Sequence, residues 1–297
     1  MLSILIPIYN HNAFNLVKEL NEQCINCGIE YEIICQDDAS NSPLNVFNEE
    51  INQLPYCSFI SLKQNVAHRQ NRNLLAEKSQ YNWLLFIDGD SRIIKTDFIQ
   101  KYIENTFDFQ VVYGGRIHPE VCPSQQQKLR WKYGKYIEDK TALDRLKKPY
   151  ECLLFNNTLI LKSEFNKVKF DKTITLYGHD DTQFSFELSK IKSKVNHIEN
   201  PILHDDIDEN EKYLSKTEES LKSILILYSL NKVNSNFVSI LKLYVFLKKT
   251  KLIYFVQFGF KFLKNKLRKK VLSENSSLTL FNMYRIGYLC TLNENKN

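Results

Sequence analysis

The strongest constraint on the fold is a regular alternation, from Leu2 to about Val112, between short apolar runs and segments with helical periodicity. A short apolar run bounded by turn residues predicts a strand, and apolar residues recurring at helical spacing predict a helix. Successive strand and helix units of this kind are typical of an α/β fold with a mostly parallel sheet. The expected strands are Ser3–Tyr9, Glu32–Gln36, Phe59–Leu62 and Trp83–Ile87, and the expected helices are Phe14–Gln23, Leu44–Ile51 and Arg69–Lys78.

The second half of the chain is less regular. It predicts a strand at Gln110–Tyr113, a helix across Gln125–Leu146, a strand at Leu153–Leu161 and a helix that begins near Asp181. Beyond His204 the composition changes to Lys-rich and aromatic-rich helical sequence. We therefore expect a first domain at residues 1–210 and a basic helical region at residues 211–297.

Composition indicates a folded protein of enzyme size. Of the 297 residues, 43% are hydrophobic and 25% are charged, which are ordinary values for a globular chain and exclude wholesale disorder. The net charge of +6 is unevenly placed, because residues 220–272 contain 12 Lys or Arg and no Asp or Glu. Any anionic partner is expected to bind at that segment.

The seven cysteines are scattered, and the first residues lack a basic start followed by a long apolar core. Both features favour a reducing, cytoplasmic location. Cys24 and Cys27 form a lone pair, and packed thiols are favoured because a zinc site needs a second pair of ligands. No uncharged apolar run approaches the roughly 18 residues that cross a bilayer, so no membrane span is expected.

Two carboxylates, Asp88 and Asp90, flank Gly89 directly after the apolar run Trp83–Ile87. Ligands of open parallel sheets bind beyond the carboxyl ends of the strands, and paired carboxylates are hard oxygen ligands suited to Mg²⁺ or Mn²⁺. Without further context, two neighbouring acids on a surface turn are more often exposed to solvent with no ligand-binding role. The position at a strand end favours the metal-binding interpretation, because the two acids would otherwise repel each other without compensation.

Two further segments could contact a nucleotide. Asp37 and Asp38 follow the second strand, where a carboxylate could accept a hydrogen bond from a base or a ribose hydroxyl. Alternatively, Asp38 or Ser40 could cap the next helix. Arg69 and Arg72 lie about one helical turn apart, and could meet a diphosphate or could be ordinary surface residues.

Two later segments could take part in chemistry. Asp180 and Asp181 open a predicted helix, where the macrodipole favours the ionised carboxylate that a general base requires, although either residue could simply be a cap. His204 follows a short apolar run, and could be a ligand or a packed residue.

In this order and spacing, these motifs resemble the inverting family 2 glycosyltransferases with the GT-A fold. The resemblance covers residues 1–205, and it includes the opening strand Ser3–Asn10 and the loop Asn65–Asn73. It implies a Rossmann-like, mostly parallel sheet flanked by helices. It also implies a nucleotide-sugar donor, expected to be a UDP-sugar, and a divalent metal, Mn²⁺ or Mg²⁺.

The resemblance assigns roles residue by residue. It implies Asp38 at the nucleotide base, Arg72 at the diphosphate and Asp88 near the ribose, and makes Asp181 the catalytic base with Asp180 orienting the acceptor. Asp90 would bind the metal, with His204 and Asp88 as further ligands. The full set of expected donor contacts is Pro7, Tyr9, Asp38, Arg69, Arg72, Asp88 and Gly89.

Three positions depart from the family pattern. Ala67 stands where the family often has Gly, which would restrict the backbone of the phosphate-side loop. Gln36 precedes the Asp pair where an apolar or acidic residue is common. Asp180 replaces the usual Glu, which shortens by one methylene the side chain that the resemblance assigns to acceptor positioning.

The basic segment 220–272 has two interpretations. Its helices could lie on an anionic membrane surface, or they could pack on the catalytic core or on a second copy of the chain. The membrane is favoured because such Lys density without acids is unusual for a solvated face. This would place the enzyme at the inner face of the cytoplasmic membrane. Nucleic acid is not expected, since no recognition motif accompanies the charge.

The expected function is therefore transfer of one sugar to a hydroxyl of a glycan or lipid-linked glycan in polysaccharide biosynthesis for the cell envelope. Two alternatives are a sugar nucleotidyltransferase and a non-catalytic, membrane-associated nucleotide or glycan binder. The nucleotidyltransferase is disfavoured because the sequence has no Gly-rich triphosphate loop near the N-terminus. The second is disfavoured by the presence of Asp88, Asp90 and Asp181.

Overall fold

A seven-stranded, mostly parallel sheet forms the core of the first of two compact units in the computed structural model, which describes residues 1–292. The strands of this sheet, in chain order, are β1 (Leu2–Ile8), β2 (Tyr31–Asp37), β3 (Cys57–Ser61), β4 (Trp83–Ile87), β6 (Val111–Tyr113), β8 (Asn157–Leu161) and β9 (Val195–His197), while β5 (Ser91–Arg92), β7 (Arg116–Ile117) and β10 (Ile202–His204) form a second, smaller sheet. The order of strands in the large sheet is β3-β2-β1-β4-β8-β6-β9. Only β8 runs antiparallel to its neighbours, which confirms the expected α/β fold with a mostly parallel sheet.

The helices account for most of the remaining chain. They are α1 (Phe14–Cys27), α2 (Asn45–Asn48), α3 (Ala67–Lys78), α4 (Phe98–Glu104), α5 (Lys128–Tyr133), α6 (Ala142–Leu146), α7 (Lys162–Val168), α8 (Asp180–Lys190), α9 (Asn210–Ser229), α10 (Ser239–Lys249), α11 (Ile253–Val271) and α12 (Leu278–Thr291). Short 3₁₀ turns occur at Glu49–Gln53 and Gln125–Gln127, and a π turn occurs at Gly134–Glu138.

Burial explains why the central strands read as continuous apolar runs. Every residue of β1 is buried, and β4 is buried from Leu84 to Ile87. Strands covered on both faces have no solvent-facing side, so they do not alternate polar and apolar residues. Helix α1 packs its apolar stripe, including Val17 and Leu20, into the same core and ends at Gly28 in the left-handed conformation.

The smaller sheet brings the end of the unit back to the carboxyl end of β4. Strand β10 pairs antiparallel with β5, with His204 opposite Ser91, and pairs parallel with β7. Because β5 begins directly after Asp90, this register sets His204 beside the end of the D-x-D turn.

The second unit is helical. The first unit comprises residues 1–118, 139–173 and 187–206, and the second comprises residues 119–138, 174–186 and 207–292 among those described. The second unit therefore holds the helical region expected from the sequence together with two earlier segments. Its core contains Leu221, Ile224, Leu241, Phe281 and Tyr284, contributed by α9, α10 and α12. Residues 293–297 of the expected region lie outside the described residues.

Two expected elements were wrong in extent. The helix expected across Gln125–Leu146 is broken into several pieces, because Thr141 caps a new helix by accepting a hydrogen bond from the Asp144 amide. The strand expected at Leu153–Leu161 begins only at Asn157. The buried side chains of Leu153 and Phe155 lie in the loop before it, so they read as strand residues although they belong to none.

All seven cysteines are free thiols. No helix within residues 1–292 combines the length and apolar character needed to cross a bilayer.

Ala67 adopts a left-handed backbone with φ of +66° at the first residue of α3. This conformation costs a residue with a Cβ about 1–2 kcal/mol, and glycine adopts it freely. We expect Ala67→Gly to raise the free energy of unfolding by about 0.5–1 kcal/mol, because relief of this strain outweighs the larger backbone entropy that glycine loses on folding. Urea denaturation measures the change. The matched control is Ala76→Gly in the interior of the same helix, which is expected to destabilise; a destabilised Ala67→Gly would contradict the explanation.

His197 is a buried histidine that the fold keeps neutral. Its Nδ1 accepts from Arg145 Nε at 3.3 Å and its Nε2 lies 2.8 Å from the Pro149 carbonyl. Burial, followed by the charge of Arg145, lowers the pKa of His197 from 6.5 to about 4.

Between pH 6.5 and 4, His197 is therefore protonated in the unfolded state but neutral in the folded state. The free energy of unfolding is expected to fall as the pH drops through this range, because protonation favours the unfolded chain. The shift corresponds to about 3 kcal/mol at most. Denaturation curves of wild type and His197→Gln across this range test it, since the variant lacks the titrating group. Parallel curves for the two proteins would show that His197 does not cause the acid sensitivity.

Candidate active site

The D-x-D turn follows β4, as the sequence predicted, and packs against β1. The Gly89 amide donates to the Pro7 carbonyl at 3.3 Å. A Cβ on Gly89 would meet that carbonyl oxygen at 3.2 Å and the Ile8 side chain at 3.1 Å. A glycine fits here because main chain approaches it closely, and the approach fixes where Asp88 and Asp90 leave the turn.

Asp88 is paired with a buried arginine. Arg72 Nη2 lies 2.8 Å from Asp88 Oδ1, its side chain is 1% exposed, and its guanidinium lies over the Phe170 ring at 5.3 Å. Arg69, one turn earlier on α3, is also buried. In this structure Arg72 orients the Asp88 carboxylate, so the predicted contact of Arg72 and Arg69 with a diphosphate stays a prediction.

Asp90 is the most perturbed acid of the turn. Its Oδ1 atom is buried with no hydrogen-bond partner among residues 1–292, and its Oδ2 lies 3.9 Å from His204 Nδ1. Burial and the nearby carboxylates of Asp88 and Asp206 raise the pKa of Asp90 from 3.8 to about 7. The charge of Arg116 opposes this rise only in part. A cation at this carboxylate would relieve both the desolvation and the repulsion.

Neighbouring histidine and carboxylate groups complete the surroundings of Asp90. The rings of His204 and His118 meet edge to face with centroids 5.5 Å apart, and His118 Nδ1 lies 2.6 Å from Asp139 Oδ1. His118 and Asp139 were missed by sequence reasoning, whereas His204 was an expected ligand. A sequence signal that could have found His118 is the Gly114-Gly115 pair shortly before it. In the structure a Cβ at Gly114 would collide with the Asn200 carbonyl and the Tyr102 hydroxyl at 2.4 Å.

The residues fit a divalent metal that also binds the substrate. Within residues 1–292, no three His, Cys, Asp or Glu side chains form a ready-made metal site. Mg²⁺ at phosphate sites keeps several waters and uses one or two carboxylates together with the substrate phosphates. Asp90, with an unpartnered oxygen and His204 nearby, supplies a donor set of that kind.

The second strand end builds a loop support. Asp37 Oδ2 accepts from the Ser40 amide, the Asn45 side chain and the Ser61 hydroxyl at 3.0–3.1 Å. Asp38 Oδ1 accepts from the Val66 amide at 2.7 Å, and its carbonyl accepts from Asn65 at 2.9 Å.

Asp38 therefore supports the turn before α3 and does not cap α2, which has no side-chain cap. Burial raises the pKa of Asp38, and the Val66 hydrogen bond opposes that shift. Tyr9, at the end of β1, is 64% exposed. The base contact expected for Asp38 and the donor contact expected for Tyr9 stay predictions.

Asp180 and Asp181 belong to the second unit, where they form the first turn of α8 as predicted. The turn before them needs Gly178, whose φ is +89° and whose Cβ would meet Ser220 at 2.9 Å. Ser223 donates to the Gly178 carbonyl at 2.9 Å, so α9 supports this turn. Both carboxylates lie at the helix end where an ionised acid is favoured.

Comparison with known proteins agrees with this geometry. Residues 3–166 match the model for glycosyl transferase family 2, which is more than half of the chain, so the chain belongs to this family of transferase enzymes. A Haemophilus influenzae protein described as an uncharacterized glycosyltransferase is 30% identical over 126 residues, covering 41% of this chain and 40% of that protein.

Solved structures show the fold. The crystal structure of Staphylococcus aureus TarS 1–349 matches with a TM-score of 0.52 and 15% identity, covering 75% of this chain and 65% of that one. The structure of TarS 1–349 in complex with UDP-GlcNAc matches equally well. The chain therefore has the GT-A fold. It spans less than two thirds of the length of these relatives.

The buried Arg72 and Asp88 pair is expected to stabilise the fold. We expect Arg72→Ala to lower the free energy of unfolding by about 3 kcal/mol, since it leaves a partly buried carboxylate without its cation. Urea denaturation measures the loss. The control is Lys147→Ala, which breaks an exposed pair with Asp144 and should cost less than about 1 kcal/mol. Equal losses in the two variants would refute a special role for the buried pair.

Proposed function

We propose that the chain is an inverting, metal-assisted glycosyltransferase that moves one sugar from a UDP-sugar to a hydroxyl of a glycan or lipid-linked glycan. The observation that carries the proposal is the Asp90 carboxylate, which has a buried unpartnered oxygen and lies next to His204 at the end of β4. Family membership supports the reaction class, and the neighbour that binds UDP-GlcNAc supports the donor class.

The donor would be held by the first unit. Asp38, Tyr9 and Pro7 at the ends of β1 and β2 would contact the nucleoside, and Asp88 would lie near the ribose. Gly89, Arg69 and Arg72 would surround the diphosphate. Asp90, His204 and Asp88 would hold the divalent cation, which supplies positive charge against the leaving diphosphate. The single-displacement reaction then needs only one more group, a base for the acceptor.

Asp181 would be that base. It accepts the proton of the acceptor hydroxyl while the hydroxyl oxygen forms a bond to the anomeric carbon and the bond from that carbon to the diphosphate breaks. Such a proton transfer contributes about 10²–10⁴ in rate. One displacement inverts the anomeric configuration, and Asp180 would orient the acceptor. The acceptor is expected at the inner face of the cytoplasmic membrane, with the basic helices holding the enzyme near it.

Calorimetric titration of UDP, with GDP and CDP as comparators, tests the donor site. We expect UDP to bind wild type tightly only with Mn²⁺ or Mg²⁺, and Asp90→Ala to lose the metal-dependent part of the affinity because it removes the central ligand. The control is Asp97→Ala, an acid of the same unit that pairs with Lys101 at 3.4 Å. Nucleotide binding that ignores both metal and Asp90 would contradict the proposed site.

Transfer is tested by the release of UDP from a panel of UDP-sugars, with a lipid extract of the native host as the source of acceptor. We expect Asp181→Asn to bind UDP normally and to lose about 10²-fold or more in turnover. Asp180→Asn is expected to weaken acceptor saturation more than turnover. Binding of UDP with no turnover of any donor by wild type would favour a non-catalytic binder, and release of pyrophosphate from UTP and a sugar phosphate would favour a nucleotidyltransferase.

A further inference from the structure

The first half of α11 carries large apolar side chains on its outer side as well as on the side that packs in the core. Ile253 and Phe260 face the core of the second unit and are nearly buried. Phe255, Phe258 and Phe262 are 76%, 67% and 69% exposed. Apolar surface on both sides of a helix is normally enclosed by protein or lipid, and residues 1–292 leave the outer side of α11 uncovered.

These three phenylalanines form one continuous surface, which we call the aromatic strip. Their spacing of three and four residues places them on one side of the helix. The rings of Phe258 and Phe262 are in edge contact, with centroids 4.9 Å apart. A Cβ added to Gly259, between them, would meet nothing within 4 Å. Clustered exposed aromatic residues of this kind mark an interaction surface more often than single exposed ones do.

The same side of α11 becomes basic in its second half. Lys266 and Lys269 follow Phe262 at helical spacing, and both are exposed. Helix α10 repeats the combination, with Leu243 and Phe246 exposed by 45% and 55% and with Lys242 and Lys249 exposed on the same helix. Residues 220–272 contain no acid; Glu211 of α9 pairs with Arg268 of α11 at 2.5 Å.

We propose that the aromatic strip and the lysines beside it dock onto the surface of an anionic lipid bilayer. Phenyl rings would enter the boundary between headgroups and acyl chains, and the lysines would pair with anionic headgroups, as in interfacial amphipathic helices. A second copy of the chain fits this surface less well, because two such faces would bring like charges together. The proposal specifies the residues behind the membrane location proposed above, and it does not depend on donor chemistry.

Vesicle sedimentation of the full chain tests the proposal. We expect wild type to bind mixed phosphatidylcholine and phosphatidylglycerol vesicles, to bind pure phosphatidylcholine vesicles far less, and to weaken as salt is added. The triple variant F255S/F258S/F262S should bind the mixed vesicles at least about tenfold more weakly, since it loses the inserted apolar area. K266E/K269E should also lose about tenfold or more, because each basic residue strengthens binding about fivefold.

Controls come from the first unit. Phe107 is 81% exposed, so F107S removes an equally exposed ring outside the strip, and K18E/K172E reverses two exposed lysines elsewhere. Both controls should bind vesicles as wild type does. Far-UV circular dichroism and UDP calorimetry on the triple variant show whether it remains folded with a working donor site, and Asp90→Ala should keep vesicle binding even if nucleotide binding is lost.

Three outcomes would overturn the proposal. One is wild type that binds neither kind of vesicle. Another is a folded triple variant that binds mixed vesicles as strongly as wild type. In the third, wild type does not bind vesicles and is a dimer in analytical ultracentrifugation, whereas the triple variant is a monomer. That result would assign the strip to contact with a second copy of the chain. Failure of UDP binding in wild type with intact vesicle binding would instead reject the proposed donor site alone.

Discussion

Two carboxylates, Asp88 and Asp206, lie near the half-buried acid Asp90 at the end of β4. Asp88 and Asp206 both oppose ionisation of Asp90, and a backbone hydrogen bond and the charge of Arg116 offset them only in part. The fold maintains this unfavourable arrangement through the buried ion pair of Arg72 with Asp88 and through the short sheet that carries His204. Uncompensated repulsion between neighbouring carboxylates is typical of ligand sites, where a bound cation or substrate neutralises the negative charge.

Much of the fold could be predicted because the determining signals are local. The run Trp83–Ile87 matches β4 residue for residue, and β1 and β2 begin and end within one residue of the expected bounds. These strands are covered on both sides, so their composition alone distinguishes them. The start of α8 at Asp180 was equally visible, because the acids of its first turn follow a glycine.

The rest depends on contacts between residues far apart in sequence. Strands β5, β7 and β10 are two or three residues long and carry no periodicity, so the pairing of His204 with Ser91 is a property of the tertiary structure. The same is true of Arg72, whose pattern resembles that of any helix-surface arginine but whose guanidinium is enclosed by Asp88 and Phe170. For Asp38, the sequence offered a cap of the next helix as an alternative. The carboxylate instead accepts a hydrogen bond from the amide of Val66, which lies before α3.

The close approach of β1 to Gly89 has a consequence for how the D-x-D pattern is used as a marker. The middle position is usually written as unrestricted, yet here the Pro7 carbonyl and the Ile8 side chain leave little room for a side chain. The spacing of the two acids is thus set by a strand about eighty residues earlier. In chains with this strand contact, a search pattern that joins the opening strand to a small central residue would discriminate better than the two acids alone.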